Sequence, residues 1–359
     1  MNLRIPGPTP LPPSVLKAMS QPIINHRGPE FAAMLREITA RLKEIFRTKN
    51  DVFILTSSGT GGLEAAIANL ISPGDKVLAA SAGFFGDRLA AIAEAFGAEV
   101  TKLDFPWGRA VDATALRRRL KVERGFKLVL VVHNETSTGV ANDLAAIAEA
   151  VRSLGDDRPL LLVDAVSSLG AIELRTDEWG CDAVVTGSQK ALMAPPGLAL
   201  VSLSERAWRA AEGAKAPRFY WDFRKAKEYA QKGQTPFTPA ISTLYGLREA
   251  LRLITEEGLD NVIARHRRIG RYTREGIKAL GLRLFADEAH ASDTVTAVRV
   301  PEGMDADRLL ARLREEHGVV LGGGQGPLRG KIFRIGHMGY VSEEDIEGVL
   351  EALKKVLRG

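Results

Sequence analysis

One cysteine, Cys181, stands in 359 residues, which excludes an intrachain disulfide framework and any metal centre built from several thiolates. No apolar run approaches the roughly 18 to 20 residues needed to span a bilayer. The opening stretch MNLRIPGPTPLPPS lacks the apolar core of a secretory signal, so a cytoplasmic protein is expected. Aromatic residues make up only 6% of the chain, and neither an aromatic platform nor a helix-turn-helix pattern accompanies its net charge of +5. Basic side chains are interleaved with acids, as in REALRLITEEGLDNVIARHRR. Neither nucleic acid nor a membrane surface is therefore expected as a partner. A moderately cationic pocket for a small anionic molecule accounts for the charge equally well.

What is present is a large apolar fraction, 45%, enough for a sizeable core. Between residues 50 and 205 the runs DVFIL, KVLAA, AEVTKL, KLVLVVH, PLLLVD, CDAVVT and LALVSL alternate with helical patterns such as GGLEAAIANLI and NDLAAIAEAVRSLG. Alternation of this kind predicts crossover units, hence an α/β fold with a mainly parallel seven-stranded sheet covered by helices on both faces. From about 205 to 245 the pattern breaks into KAPRFYWDFRKAKEYAQKGQTPFTPA, a connecting and functional region. A long helical pattern over 243–280 is expected to bend or break near Gly258. Then come the strand-like runs LRLFA, TVTAVRV and KIFRIG, the helical DADRLLARLREEHG, and a last helix opened by Ser342 as N-cap with Asp345 three residues on. The expected organisation is an N-terminal arm over 1–15, a large ligand-binding domain over 16–245 and a small α/β domain over 246–359.

Open parallel sheets place ligands at the carboxyl ends of their strands, so the polar residues that end apolar runs carry the functional reading. After DVFILT, the stretch SSGTGGLEAAI leads directly into a helix. Its N-terminal amides with the hydroxyls of Ser58 and Thr60 form either an anion cradle or a plain capping turn. No GK[ST] follows, so it is not a P-loop. After PLLLV comes Asp164, either a turn-former bonded to the next amides or a functional carboxylate. After CDAVVTGSQ comes Lys190, ahead of the apolar ALMAPPG. Such a lysine either snorkels to water or is desolvated, and desolvation lowers an amine's pKa toward nucleophilic competence. Taken together, a phosphate cradle, a carboxylate and a desolvated amine are the trio that pyridoxal phosphate requires. The phosphate needs backbone donors, the ring nitrogen an acidic partner, and the aldehyde an amine for its Schiff base.

With HNETSTGV, LLLVDAVSSLGA and TGSQKALMAPPG in this order and spacing, the chain resembles the class V aminotransferases of fold type I, and within them the alanine–glyoxylate and serine–pyruvate enzymes. The likeness runs from GPTPLPPSVLKAM to GGGQGPLRGKIFRIGHMG. It implies Lys190 as the Schiff-base lysine and Asp164 as partner of the pyridine nitrogen, with 16–245 as the pyridoxal phosphate domain. Ser58, Gly59, Thr60 and Gln189 match phosphate ligands. Phe85 matches an aromatic ring stacked on the cofactor, where tryptophan is common in the eukaryotic enzymes. Thr136 matches a hydroxyl near the ring oxygen. Thr238, and at a position where eukaryotic relatives carry tyrosine Thr235, match phosphate ligands supplied across a homodimer interface. Arg334 matches the grip on the substrate α-carboxylate, a task for a planar bidentate fork. Gly7 and Thr9 belong to an arm that closes over the substrate, and His26 and Arg27 are expected near the partner's site. No metal is implied.

The resemblance implies transamination of a small amino acid, of the alanine, serine or glycine type, with a 2-oxo acid such as glyoxylate or pyruvate, by a ping-pong mechanism. The rival within the cofactor class is an aspartate or phosphoserine aminotransferase, for which His26, Arg27 or His337 could supply the extra cation. A cysteine desulfurase needs a mobile C-terminal cysteine, whereas Cys181 precedes the lysine in a strand-like run. A non-catalytic cofactor-binding protein would be free to lose Lys190, Asp164 and Arg334, and all of them are present. A hydrogenase subunit would need an iron–sulfur or nickel ligand set that one cysteine cannot supply.

Overall fold

The computed structural model describes residues 1–358; Gly359, the last residue of the expected small domain, lies outside the described residues. Its centre is a seven-stranded sheet in the order Asp51–Thr56, Leu198–Leu203, Ala183–Gly187, Leu160–Asp164, Leu128–Val132, Lys76–Ser81, Glu99–Asp104. The last five strands of that order are mutually parallel. Leu198–Leu203 runs antiparallel to both of its neighbours, so Asp51–Thr56 points the same way as the parallel set. The carboxyl ends of six strands therefore share one edge, together with the start of the seventh. There Gly197 accepts the Ser57 amide at 2.8 Å.

Strands covered on both faces read as continuous apolar runs rather than alternating ones, and Leu128–Val132 and Leu160–Asp164 are buried throughout. One face is covered by helices that include Pro29–Phe46, Leu144–Arg152 and Ile241–Glu257. The other is covered by Gly59–Leu70 and Phe84–Ala95 among others. Gly62 brings the first of these onto the sheet, since a Cβ there would fall 2.8 Å from that of Ala199.

A second sheet has four strands in the order Asn2–Arg4, Val319–Gly323, Ile332–Gly336, Val295–Arg299, packed on helices Leu259–Ala279, Ala306–His317 and Glu343–Arg358. Two sequence expectations change here. The N-terminal stretch is not only an arm: Asn2–Arg4 is a strand parallel to Val319–Leu321, pinned by the Arg4–Asp345 ion pair at 2.8 Å. LRLFA is not a strand; it makes a single bridge, Leu284 to Val298, through the Phe285 amide to the Ala297 carbonyl at 2.9 Å and the Arg299 amide to the Arg283 carbonyl at 2.8 Å. The long helical pattern breaks at Gly258, whose φ of 84° separates Ile241–Glu257 from Leu259–Ala279. No helix among the described residues is long and apolar enough to cross a membrane.

Candidate active site

The shared strand edge encloses a cavity of about 230 Å³ whose lining includes Gly7, Ser58, Phe85, Thr136, Asp164 and Lys190. Each arrives from the end of a different element. Ser58 caps helix Gly59–Leu70, accepting the Gly61 amide on its hydroxyl at 3.4 Å, so the capping turn is formed and it faces the cavity. The first amides of a helix have no acceptor within it, and Gly59 and Thr60, at this helix start, line the cavity. Gln189 adds an amide whose buried Oε1 has no hydrogen-bond partner. An unpaired buried polar atom is costly unless something fills it; a half-turn of that amide offers an N–H to phosphate instead.

Asp164 closes the strand Leu160–Asp164 and is buried, with one carboxylate oxygen accepting the Val166 amide at 2.9 Å. Burial raises its pKa, opposed by that amide and by the charges of Arg88 and Lys190. A cationic ring nitrogen brought against it would favour the ionised form.

Lys190 donates to the carbonyl of Pro6 on the N-terminal strap. Burial first, then the charge of Arg334, brings its pKa down to about 8, against the opposing pull of Asp164. The lysine is thus desolvated, and the snorkelling alternative does not hold. The strap comes this close because residue 7 has no side chain. A Cβ there would fall 2.6 Å from Nζ, and Gly7 has a φ of +121° that other residues rarely adopt.

Arg334, on strand Ile332–Gly336 of the second sheet, does not line the cavity itself but bonds to the backbone of Thr136 in its wall. Its Nε donates to Gly323 O at 2.9 Å and its Nη1 to Gln325 Oε1 at 2.9 Å and Thr136 O at 3.2 Å. Burial lowers its pKa to about 10, with Glu135 pulling the other way, so it stays cationic at neutral pH. Its Nη2 makes no hydrogen bond to the described residues, which leaves a donor for a carboxylate.

Other expected residues stand elsewhere. Thr9 is buried with its hydroxyl donated to the Lys190 carbonyl at 3.1 Å, so it braces the lysine's backbone, and it does not line the cavity. Thr235 and Thr238 do not line their own chain's cavity. Arg27 lies beside them, donating to the carbonyls of Thr235 at 2.7 Å and Pro236 at 3.3 Å. His337 is no spare cation: it is buried, bonded to Thr296 Oγ1 at 2.8 Å, and burial lowers its pKa to about 3.

The sequence reading missed Arg88, Asn134 and Ser167, which also line the cavity. Asn134 donates to Ser167 Oγ at 2.8 Å, and Thr136 donates to the same oxygen at 2.7 Å. The signal was there in part. Asn134 is two residues from Thr136, and Arg88, one turn beyond Phe85 on one helix face, carries its guanidinium 4.5 Å from that ring.

A cradle at a helix start, a buried carboxylate, a desolvated lysine and an aromatic wall around one cavity fit the phosphate, ring nitrogen, aldehyde and ring face of pyridoxal phosphate. Fold and site together define a pyridoxal phosphate-dependent transferase of fold type I. The chain belongs to the class V aminotransferases, whose family model, "Aminotransferase class-V", matches residues 1–349. It is 43% identical over 357 residues to a soluble hydrogenase small subunit of Synechococcus sp. (strain PCC 6716), covering 99% of this chain and 92% of that one. It is 43% identical over 344 residues to the L-aspartate–glyoxylate aminotransferase of Paracoccus denitrificans, covering 94% and 86%. The crystal structure of an alanine–glyoxylate aminotransferase from Nostoc sp. superposes with a TM-score of 0.95 at 37% identity, covering 99% and 95%.

Proposed function

We propose that this aminotransferase moves the amino group of a small amino acid, of the alanine, serine or glycine type, to glyoxylate or a similar 2-oxo acid in the cytoplasm, as a homodimer. The carrying observation is the convergence of Lys190, Asp164 and the Ser58–Thr60 helix start on one cavity, with Arg334 bonded to its wall through the Thr136 carbonyl. Glyoxylate as acceptor is supported by the names of the Paracoccus and Nostoc relatives.

When bound, pyridoxal phosphate supplies an electrophilic aldehyde and a ring that takes up electrons released at the substrate's α-carbon. The chain's residues do the rest. Ser58, Gly59, Thr60 and Gln189 would hold the phosphate, Phe85 would cover the ring face, and Thr136 would offer its hydroxyl near the ring oxygen. Asp164 keeps a proton on the ring nitrogen. Arg334 orients the amino acid by its carboxylate. Lys190 would hold the cofactor through its aldehyde carbon, and its free amine would accept the substrate's α-proton on Nζ. Oxo-acid product leaves before the second oxo acid enters, so the kinetics are ping-pong.

Thr235 and Thr238 are proposed to complete the phosphate site of a second copy, with His26 and Arg27 beside it. Their place on the surface segment braced by Arg27, outside their own cavity, supports this.

The test mixes loaded protein with alanine, serine, glycine, aspartate and phosphoserine in turn, without oxo acid, and follows the cofactor's visible absorbance. Rapid loss with the first three supports the proposal. Loss with aspartate or phosphoserine alone overturns the substrate assignment.

A further inference from the structure

The turn that carries Thr136 also carries a buried carboxylate to which the mechanism gives no role. Glu135 is 1% exposed and makes no salt bridge with any of the described residues. Its ligands are the start of helix Phe84–Ala95 and its own neighbour. The Phe85 amide donates to both carboxylate oxygens, at 3.3 and 3.2 Å, and the Gly86 amide to Oε2 at 3.0 Å. The Ser137 amide and hydroxyl donate to Oε1 at 3.2 and 2.5 Å. The Ser137 hydroxyl oxygen also accepts the Phe84 amide, at 3.0 Å. Glu135 and Ser137 thus occupy the consecutive amides of Phe84, Phe85 and Gly86, where a helix start favours an anion. The fit is close enough to demand glycine at 83, where a Cβ would fall 2.5 Å from Glu135 Cγ.

Residues along this turn alternate in what they serve. Asn134 and Thr136 line the cavity, while Glu135 and Ser137 face the helix start. The Thr136 carbonyl between them accepts Arg334 Nη1 at 3.2 Å. One short turn therefore fixes the backbone of the aromatic wall at Phe85 and one bond of the substrate-facing guanidinium.

We infer that Glu135 is a positioning residue, holding the Phe85 wall and the Arg334 fork in one fixed relation while touching neither cofactor nor substrate. This rests on the cofactor and substrate reading above. A neutral amide at 135 keeps the shape but replaces one acceptor oxygen with a donor facing backbone N–H groups.

The test uses Glu135→Gln and the milder Ser137→Ala in the full chain, with three readouts: hydrogen exchange of the Phe84–Gly86 amides without cofactor, the dissociation constant for pyridoxal phosphate, and kcat and KM for the amino donor. For Glu135→Gln the expected result is at least a tenfold loss of protection at Phe85 and Gly86. Cofactor affinity should fall about tenfold or more, and KM should rise by a larger factor than kcat falls. These are the scale of one hydrogen bond to a charged group. Ser137→Ala should move all three the same way by less, and decides the question if the first variant does not fold. Unchanged amide protection overturns the inference. So does lost protection with unchanged cofactor affinity and KM, because that describes a helix cap and nothing more. A wild type that takes up no pyridoxal phosphate refutes the cofactor reading instead, and amide protection in that unloaded protein still reports on the cap.

Discussion

Lys190 donates its ε-amino hydrogen to the carbonyl oxygen of Pro6, so the amine at the end of the large sheet is held by a strap that belongs to the small one. Asn2–Arg4 is a strand of that second sheet, and Thr9, just past the contact, is bonded to the Gln189 carbonyl through its amide at 3.1 Å. The strap thereby holds the amine in this orientation.

Gly7→Ala should disrupt this arrangement twice over. Its Cβ would fall 2.6 Å from Nζ, at a φ of +121°. The strained backbone costs about 1–3 kcal/mol. Thermal unfolding should show a lowered Tm, and kcat should drop at least tenfold, while the affinity of the phosphate cradle for inorganic phosphate stays the same.

With Lys190 as the proposed attachment point, its depressed pKa predicts pH-dependent cofactor uptake. An unfolded lysine keeps its proton to roughly pH 10.4, whereas the folded, cofactor-free chain releases it near 8. Below pH 8 the charged amine therefore opposes folding in full, and the opposition fades as pH rises toward the unfolded value. Stopped-flow loading with pyridoxal phosphate should accelerate with a midpoint near pH 8. Relative to Lys190→Met, the cofactor-free wild type should gain stability from pH 8 to 10. A loading midpoint near 10.4 contradicts the account.

Asp164→Asn keeps the shape of a buried side chain but cannot hold a proton on a ring nitrogen. Removal of one buried electrostatic stabiliser costs roughly a hundredfold or more in kcat. Single-turnover kinetics should show that loss with the cofactor still attached.

Arg334→Gln removes the charge and the free Nη2 donor. KM for the amino acid should rise about ten- to a hundredfold, the scale of charged hydrogen bonds, with the cofactor's absorbance spectrum unchanged. Arg334→Lys should recover little, because an ammonium cannot reproduce the bonds to Gly323, Gln325 and Thr136.

Cys181 lies under the sheet, and burial pushes its thiol up to about 12. Iodoacetamide should leave the native protein unlabelled at pH 8, and Cys181→Ala should keep full activity. Native labelling with loss of activity would return a thiol mechanism to consideration.

Much of this was legible in the chain. The buried strands announce themselves as unbroken apolar runs, and a polar residue ending such a run is drawn to the shared edge, which is how Asp164 and Lys190 could be found. The short strand Asn2–Arg4 could not, because three residues carry no periodicity and pair with a strand more than 300 positions away. Nor could the free amine's acceptor, which is a backbone carbonyl. Thr9 and His337 carry the right chemistry for a site, yet their hydrogen bonds are taken by Lys190, Asp293 and Thr296, a fact of packing. Arg88 was hidden differently: it is recognised only once Phe85 is known to face a cavity.

The most direct measurement is borohydride reduction of the protein after incubation with pyridoxal phosphate, followed by peptide mass mapping. A single phosphopyridoxyl group on Lys190, absent from Lys190→Ala and lost when alanine is added before reduction, is the predicted result. Labelling spread over surface lysines, or none at all, contradicts the account.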